Sequence, residues 1–256
     1  TQGKIDFFQT PKFVRIARYG KKIQMNEGVC PAYSDCRMGL SPDKFILSYC
    51  DRALSITSAE EQPVLPKGNN LSLHLLELFT SQVAKVGMTD GIRQVLQEES
   101  DALRAYYEQA GILIARPAGG TSCRLAISAK GGTNAENHNH NDVGSYAVAL
   151  GSETMVGDQG GPNSYPGDYF NGDAPQKYKI KGSFGHPVPV VDGRTQSSGG
   201  KAKGVVLQKE FTNEKDVFSI DYTSAYSTPN LDKLIRTFVY DRQGEGNFTV
   251  GDEFTA

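Results

Sequence analysis

Residues 123–150 read CRLAISAKGGTNAENHNHNDVGSYAVAL. Two short apolar runs, LAISAK and SYAVAL, flank a polar stretch that begins on Gly131-Gly132. Runs of this length, bounded by turn-forming residues, are expected to be strands. A strand sends residues i and i+2 to one face. His138 and His140 are therefore predicted to look into one site. Asn137, Asn139 and Asn141 are predicted to look away or to bond backbone.

The same pattern continues on both sides. ILIAR (112–116) and ETMVGD (153–158) are further short strand candidates. Asp192-Gly193 is a two-residue hairpin signal. GVVLQKEF leading into VFSIDYTSAY predicts a second hairpin, and LIRTFVYDRQGEGNFTV a third. Consecutive antiparallel strands with regular turns predict a β-sandwich over 111–256. Upstream the period changes to that of helices. Ser41-Pro42 is the expected start of one helix, as an N-cap and N1 pair. Leu71, Leu75, Leu78, Phe79, Val83 and Val86 form the apolar face of a second. A third is expected from Asp90 to Gly111, where glycine suits a helix end. The predicted class is therefore α+β and multidomain: a helical segment over 1–110, then the antiparallel sandwich.

Composition narrows the function classes. The 256 residues carry a formal net charge of -2, with 38% hydrophobic and 22% charged residues. This is an ordinary globular mixture that lends bulk charge to no nucleic-acid partner. Any anionic ligand must be held by a local patch. No apolar run is long enough to span a bilayer, so no membrane partner is expected. No signal peptide is visible, and truncation is expected at both ends, because the chain opens on TQGKIDFF and stops on VGDEFTA. Cysteines 30, 36, 50 and 123 form no CxxC pair. They read as buried thiols, or as one disulfide, Cys30–Cys36 or Cys36–Cys50. Oligomeric state is not legible.

Of four histidines, three fall between positions 138 and 186. Asp158 follows in MVGDQGG, where glycines allow a tight turn, and His186 in FGHPVPV. Two imidazoles and a carboxylate suit Zn²⁺ and leave a fourth position open. The plain alternative is a set of structural or surface histidines, the reading given to His74 on its apolar helix.

The runs AKGGTNAENHNHNDVGSYAVAL, VGDQGG, SFGHPVPVVDGRTQ and IDYTSAY…LIRTFVYDR together resemble the C-terminal β-domain of the heparinase II/III-like polysaccharide lyases. The resemblance covers roughly 111–252. It implies that the preceding helices are the end of an incomplete α/α toroid. By the family's motif, His138 is the catalytic cleft histidine, and His140, Asp158 and His186 bind zinc, chiefly as a structural metal. The implied reaction is β-elimination on an acidic, uronate-containing polysaccharide or oligosaccharide, in the periplasm or outside the cell.

That reaction needs neutralisation of the uronate carboxylate, a base for the C5 proton and an acid for the leaving O4 oxygen. His138 suits neutralisation or the base role. The family's acid/base Tyr and its other toroid residues have no counterpart here, since neither Tyr19 nor Tyr33 lies in a matching motif. As given, the chain is expected to be catalytically incomplete. Lys177, Lys179, Lys181, Arg194, Lys201, Lys203 and Lys209 face one acid, Asp192, between 177 and 209. They form either an anion-binding run or a solvated face. Tyr165, Tyr169, Phe170 and Tyr178 either stack on sugars or pack within their loop. Two other readings remain: a carbohydrate-binding sandwich with a structural metal, and metal-assisted glycoside hydrolysis.

Overall fold

The computed structural model describes residues 10–54, 89–98 and 102–256. The expected helix after Asn70, with His74, lies outside them. The chain forms two compact units, residues 1–23 with 41–101, and residues 24–40 with 102–256.

In the first unit, α1 (Pro11–Lys22) starts on a Thr10 cap with proline at its first position. Next come α2 (Lys44–Ala53) and α3 (Asp90–Glu98). Val14, Leu54, Ile92 and Val95 share one buried apolar cluster. The cap of α2 is Asp43, not Ser41: its carboxylate accepts from the backbone N–H of Phe45 and Ile46. The acidic side chain satisfies two otherwise orphaned donors at once.

The second unit is built on antiparallel sheets. One has five strands in the order β1 (Arg104–Tyr107), β2 (Ile112–Ala115), β3 (Leu125–Lys130), β5 (Tyr146–Leu150) and β6 (Glu153–Val156). The other has four, in the order β11 (Asn247–Thr255), β10 (Lys233–Asp241), β9 (Lys215–Asp221) and β8 (Val205–Phe211). The short strands β4 (Thr133–Asn134) and β7 (Gly199–Lys203) pair separately. Leu113, Ile127 and Ala129 from the first sheet and Phe218, Ile220, Leu234 and Phe238 from the second form one core. The two large sheets therefore make the sandwich that the strand pattern predicts. The predicted hairpins are β8–β9 and β10–β11. Asp192 and Gly193 both have positive φ, 50° and 68°, the geometry of a type I′ turn.

One expected helix is wrong in its second half. α3 ends at Glu98, and Arg104–Tyr107 is a strand paired with β2. Helix propensity yields here to packing. Tyr106 lies edge-on to Phe211 and Phe218 at 5.9 and 5.8 Å, and Arg104 Nε bonds buried Asp216 at 3.1 Å. Gly111, with φ +61°, closes a hairpin instead of a helix.

Strand β10 alternates buried and half-buried residues, as a strand with one core face should. Strand β3 does not: its last five residues are all buried. Residues 24–40 cover its other face. Tyr33 Oη lies 2.8 Å from Ser128 Oγ, Asn26 Nδ2 donates to Gly151 O, and Arg116 Nε donates to Gln24 O.

Phe238 stacks between Phe218 and Phe248, with centroids 6.1 and 6.2 Å away. Phe238→Ala should destabilise the sandwich by about 3–5 kcal/mol. Exposed Met155→Ala should stay within about 0.5 kcal/mol. Equilibrium urea unfolding of both variants measures the difference.

Candidate metal centre and histidine cleft

Residues 131–145 connect β3 to β5 with little regular structure beyond the two residues of β4. The HxH pair is therefore not on a strand, contrary to expectation. His138 has φ +58°, a left-handed turn conformation. The loop is held by its polar side chains instead. Lys130 Nζ bonds buried Asp142 at 2.7 Å and Glu136 at 3.3 Å. Asn141 Nδ2 donates to Gln196 O, and Asn139 Nδ2 to His140 O, the backbone bonding expected of these asparagines. Gln196 receives from Val143 N at 3.0 Å and donates to Val143 O at 2.7 Å. Its own N–H donates to Ser183 Oγ, which links this loop to the 3₁₀ turn Ser183–Gly185 before His186.

Asp158 lies two residues beyond β6. Its Oδ1 accepts from Gly160 N at 2.9 Å. Gly160 has φ +66°, and a Cβ there would lie 1.7 Å from the Cys36 carbonyl oxygen, so only glycine fits. His186 follows the 3₁₀ turn and lies in a turn that leads into irregular chain. Arg236 on β10 ties both histidine loops to the sandwich. Buried itself, it makes a bidentate pair with Asp252 and donates from Nη1 to Gly144 O at 2.9 Å and Pro187 O at 2.7 Å.

The three residues predicted as metal ligands come together. Donor atoms of His140, Asp158 and His186 lie within 4.8 Å of one another, and all three residues are buried. His186 Nδ1 bonds Asp158 Oδ2 at 2.6 Å. His140 Nδ1 and His186 Nε2 are buried with no hydrogen-bond partner. Unsatisfied buried ring nitrogens are costly, and a cation would satisfy them. Burial, and then His186, lower the pKa of His140 below the ordinary histidine value. That favours the neutral imidazole which metal ligation requires. The donor set thus fits Zn²⁺.

His138 stands beside this group with its side chain 52% exposed. It meets Phe170 edge-on at 5.3 Å. The loop aromatics pack together: Tyr165, Tyr169, Phe170 and Tyr178 have centroid separations of 5.2 to 5.5 Å. Phe170 and Tyr165 remain exposed.

Sequence reading missed Asp35. Its Oδ2 lies 2.7 Å from His138 Nδ1, and its Oδ1 lies 3.1 Å from both His140 Nε2 and Tyr169 Oη. Burial raises the Asp35 pKa, but hydrogen bonds from His138, His140 and Tyr169 outweigh it and leave the carboxyl below its usual range. Burial and Asp35 push the Tyr169 phenol upward, so it stays a donor.

The basic run divides. Lys181 is buried over the Tyr169 and Phe170 rings at 4.5 and 5.2 Å. Lys177 pairs with Asp168, and Lys209 with Glu108. Lys201 and Lys203 are exposed on one side of β7, with Ala202 buried between them. All four cysteines are free thiols, and only Cys123 is buried.

Comparison with solved structures decides the fold relationship. The chain aligns with heparan sulfate lyase HepC from Pedobacter heparinus at TM-score 0.55, with 15% identity over 91% of the chain. Over the aligned residues the fold is similar to that part of the heparan sulfate lyase. A mutant of the same lyase aligns at TM-score 0.56, with 15% identity over 93% of the chain and 31% of the lyase. A heparinase III structure aligns at 0.53, with 15% identity over 96% of the chain and 34% of the heparinase. The chain therefore spans about a third of the length of these lyases. No family model and no curated protein matches the chain.

Arg236→Met would leave the Gly144 and Pro187 carbonyls, and the partly exposed Asp252 carboxylate, without their guanidinium partner. It should cost about 1–3 kcal/mol, the usual penalty for leaving buried polar groups unpaired, read as a lowered urea midpoint.

Proposed function

We propose that this chain is part of a polysaccharide lyase that cleaves a uronate-containing acidic polysaccharide by β-elimination, with His138 facing the sugar. The observation that carries this reading is the pairing of a half-exposed His138 with a buried His140–Asp158–His186 donor set two residues away in sequence. The fold shared with heparan sulfate lyases supports it. The helices of the first unit are read as the end of an incomplete α/α toroid. The family's tyrosine acid/base and remaining cleft residues are assigned to protein outside these residues. The enzyme works in the periplasm or outside the cell. No helix among the described residues is long and apolar enough to cross a membrane.

Each residue then has a defined task. His140, Asp158 and His186 hold Zn²⁺, which supplies a fixed positive cross-link between three loops. This cross-link stabilises the HxH loop and so aims His138. An imidazole can donate or accept a proton, so His138 serves either to neutralise the uronate carboxylate or to take the C5 proton. Phe170, edge-on to His138, offers a ring for the sugar face. Exposed Lys201 and Lys203 offer local positive charge for an anionic chain that the net charge of -2 does not provide.

Elimination leaves a conjugated double bond that absorbs in the near ultraviolet. The protein containing this chain should produce that absorbance on heparin, heparan sulfate or alginate. His138→Ala should reduce it at least about 10²-fold while zinc content stays unchanged. A hydrolysed product without the double bond, or no product with retained sugar binding, would refute the lyase reading.

His186→Ala should reduce zinc from one per chain to a trace and lower the melting temperature. Metal analysis by mass spectrometry checks it; full zinc in this variant removes His186 from the ligand set.

A further inference from the structure

Asp35 belongs to residues 24–40, which lie across the outer face of the five-stranded sheet, and it reaches two histidines with two different oxygens. Its side chain is only 8% exposed, against 52% for His138 and 0% for His140. Counting hydrogens assigns the roles. An ionised carboxylate only accepts, so each ring nitrogen facing it must carry hydrogen. His138 therefore places N–H at Nδ1, which leaves Nε2 bare. His140 places N–H at Nε2, which leaves Nδ1 bare. The Tyr169 hydroxyl has one hydrogen and gives it to Asp35 at 3.1 Å. The 3.2 Å contact between Tyr169 Oη and His140 Nε2 then needs its hydrogen from the imidazole, the same tautomer again. His140 Nδ1, bare by this count, is the buried ring nitrogen with no partner. Its ring lies 5.2 Å from that of His186.

We propose that Asp35 is a positioning residue that sets opposite tautomers on the two histidines with one carboxylate, freeing His138 Nε2 for the sugar and His140 Nδ1 for the metal. Its catalytic consequence rests on the lyase reading; its effect on the rings does not. A carboxylate behind an imidazole fixes ring orientation and stabilises the charged form that appears when the ring takes a proton. Here the same carboxylate also holds a metal-site ring, so cleft and metal loop are aligned by one side chain. Lys181 Nζ, bonded to Tyr169 O at 3.1 Å, holds the tyrosine that completes the arrangement.

Nitrogen-15 NMR of the histidines in the metal-stripped chain, at alkaline pH where the rings are neutral, reads the tautomers directly. The unaltered chain should show His138 with hydrogen on Nδ1 and His140 with hydrogen on Nε2. The opposite tautomer on either ring overturns the proposal, whatever happens in variants. Asp35→Asn is nearly isosteric but presents one acceptor and one donor. It should move at least one of the two rings to the other tautomer or to a mixture, with the circular dichroism spectrum retained. A folded variant with both rings unchanged also overturns it. If the variant does not fold, the unaltered chain decides alone. In the active protein, Asp35→Asn should lower kcat about 10–100-fold with KM little changed. An unchanged kcat overturns the positioning role. Absence of elimination on every uronan, with tautomers that respond to Asp35, would sink the lyase reading and leave this assignment standing.

Discussion

A cluster of imidazoles and carboxylates buried at the edge of a β-sandwich is the constraint around which this structure is arranged. Removing such groups from water costs several kcal/mol per ion unless partners replace the solvent. Asp158 meets that cost with His186 and Gly160, and Asp35 with His138, His140 and Tyr169. Two ring nitrogens are left over, on His140 and His186. They are what the proposed zinc would satisfy, so the unmet valence and the inferred function are the same feature.

The sandwich supplies rigidity at this edge through two polar side chains. Arg236 spends its hydrogen bonds on Asp252 and on carbonyls beside each histidine loop. Gln196 spends its own on the HxH loop and the turn before His186. Both are buried. The loops are irregular, yet they are pinned by groups anchored in strands or in neighbouring loops. That is how side chains far apart in sequence can be held for chemistry on rigid elements.

Much of this was legible in the residues themselves. The sandwich follows from alternating strands and a turn signal at Asp192-Gly193. The ligand types at 140, 158 and 186 are chemically distinctive, and glycines after Asp158 mark a tight turn. What failed has physical causes. RAYY after α3 suits helix or strand alike, and its partners Phe211, Phe218 and Asp216 lie about a hundred residues away. The HxH pair shares a site through Asp35 and a positive φ, not through strand alternation. Asp35 itself is an ordinary aspartate in YSDC, 103 residues from His138, with no period or motif to single it out.

The most direct test of the proposed metal centre is zinc-edge X-ray absorption on the zinc-loaded chain. The account predicts one zinc per chain with two imidazole nitrogens and carboxylate oxygen at about 2.0–2.1 Å. Failure to retain zinc, or a sulfur shell at about 2.3 Å that moves the ion to the cysteines, would contradict it.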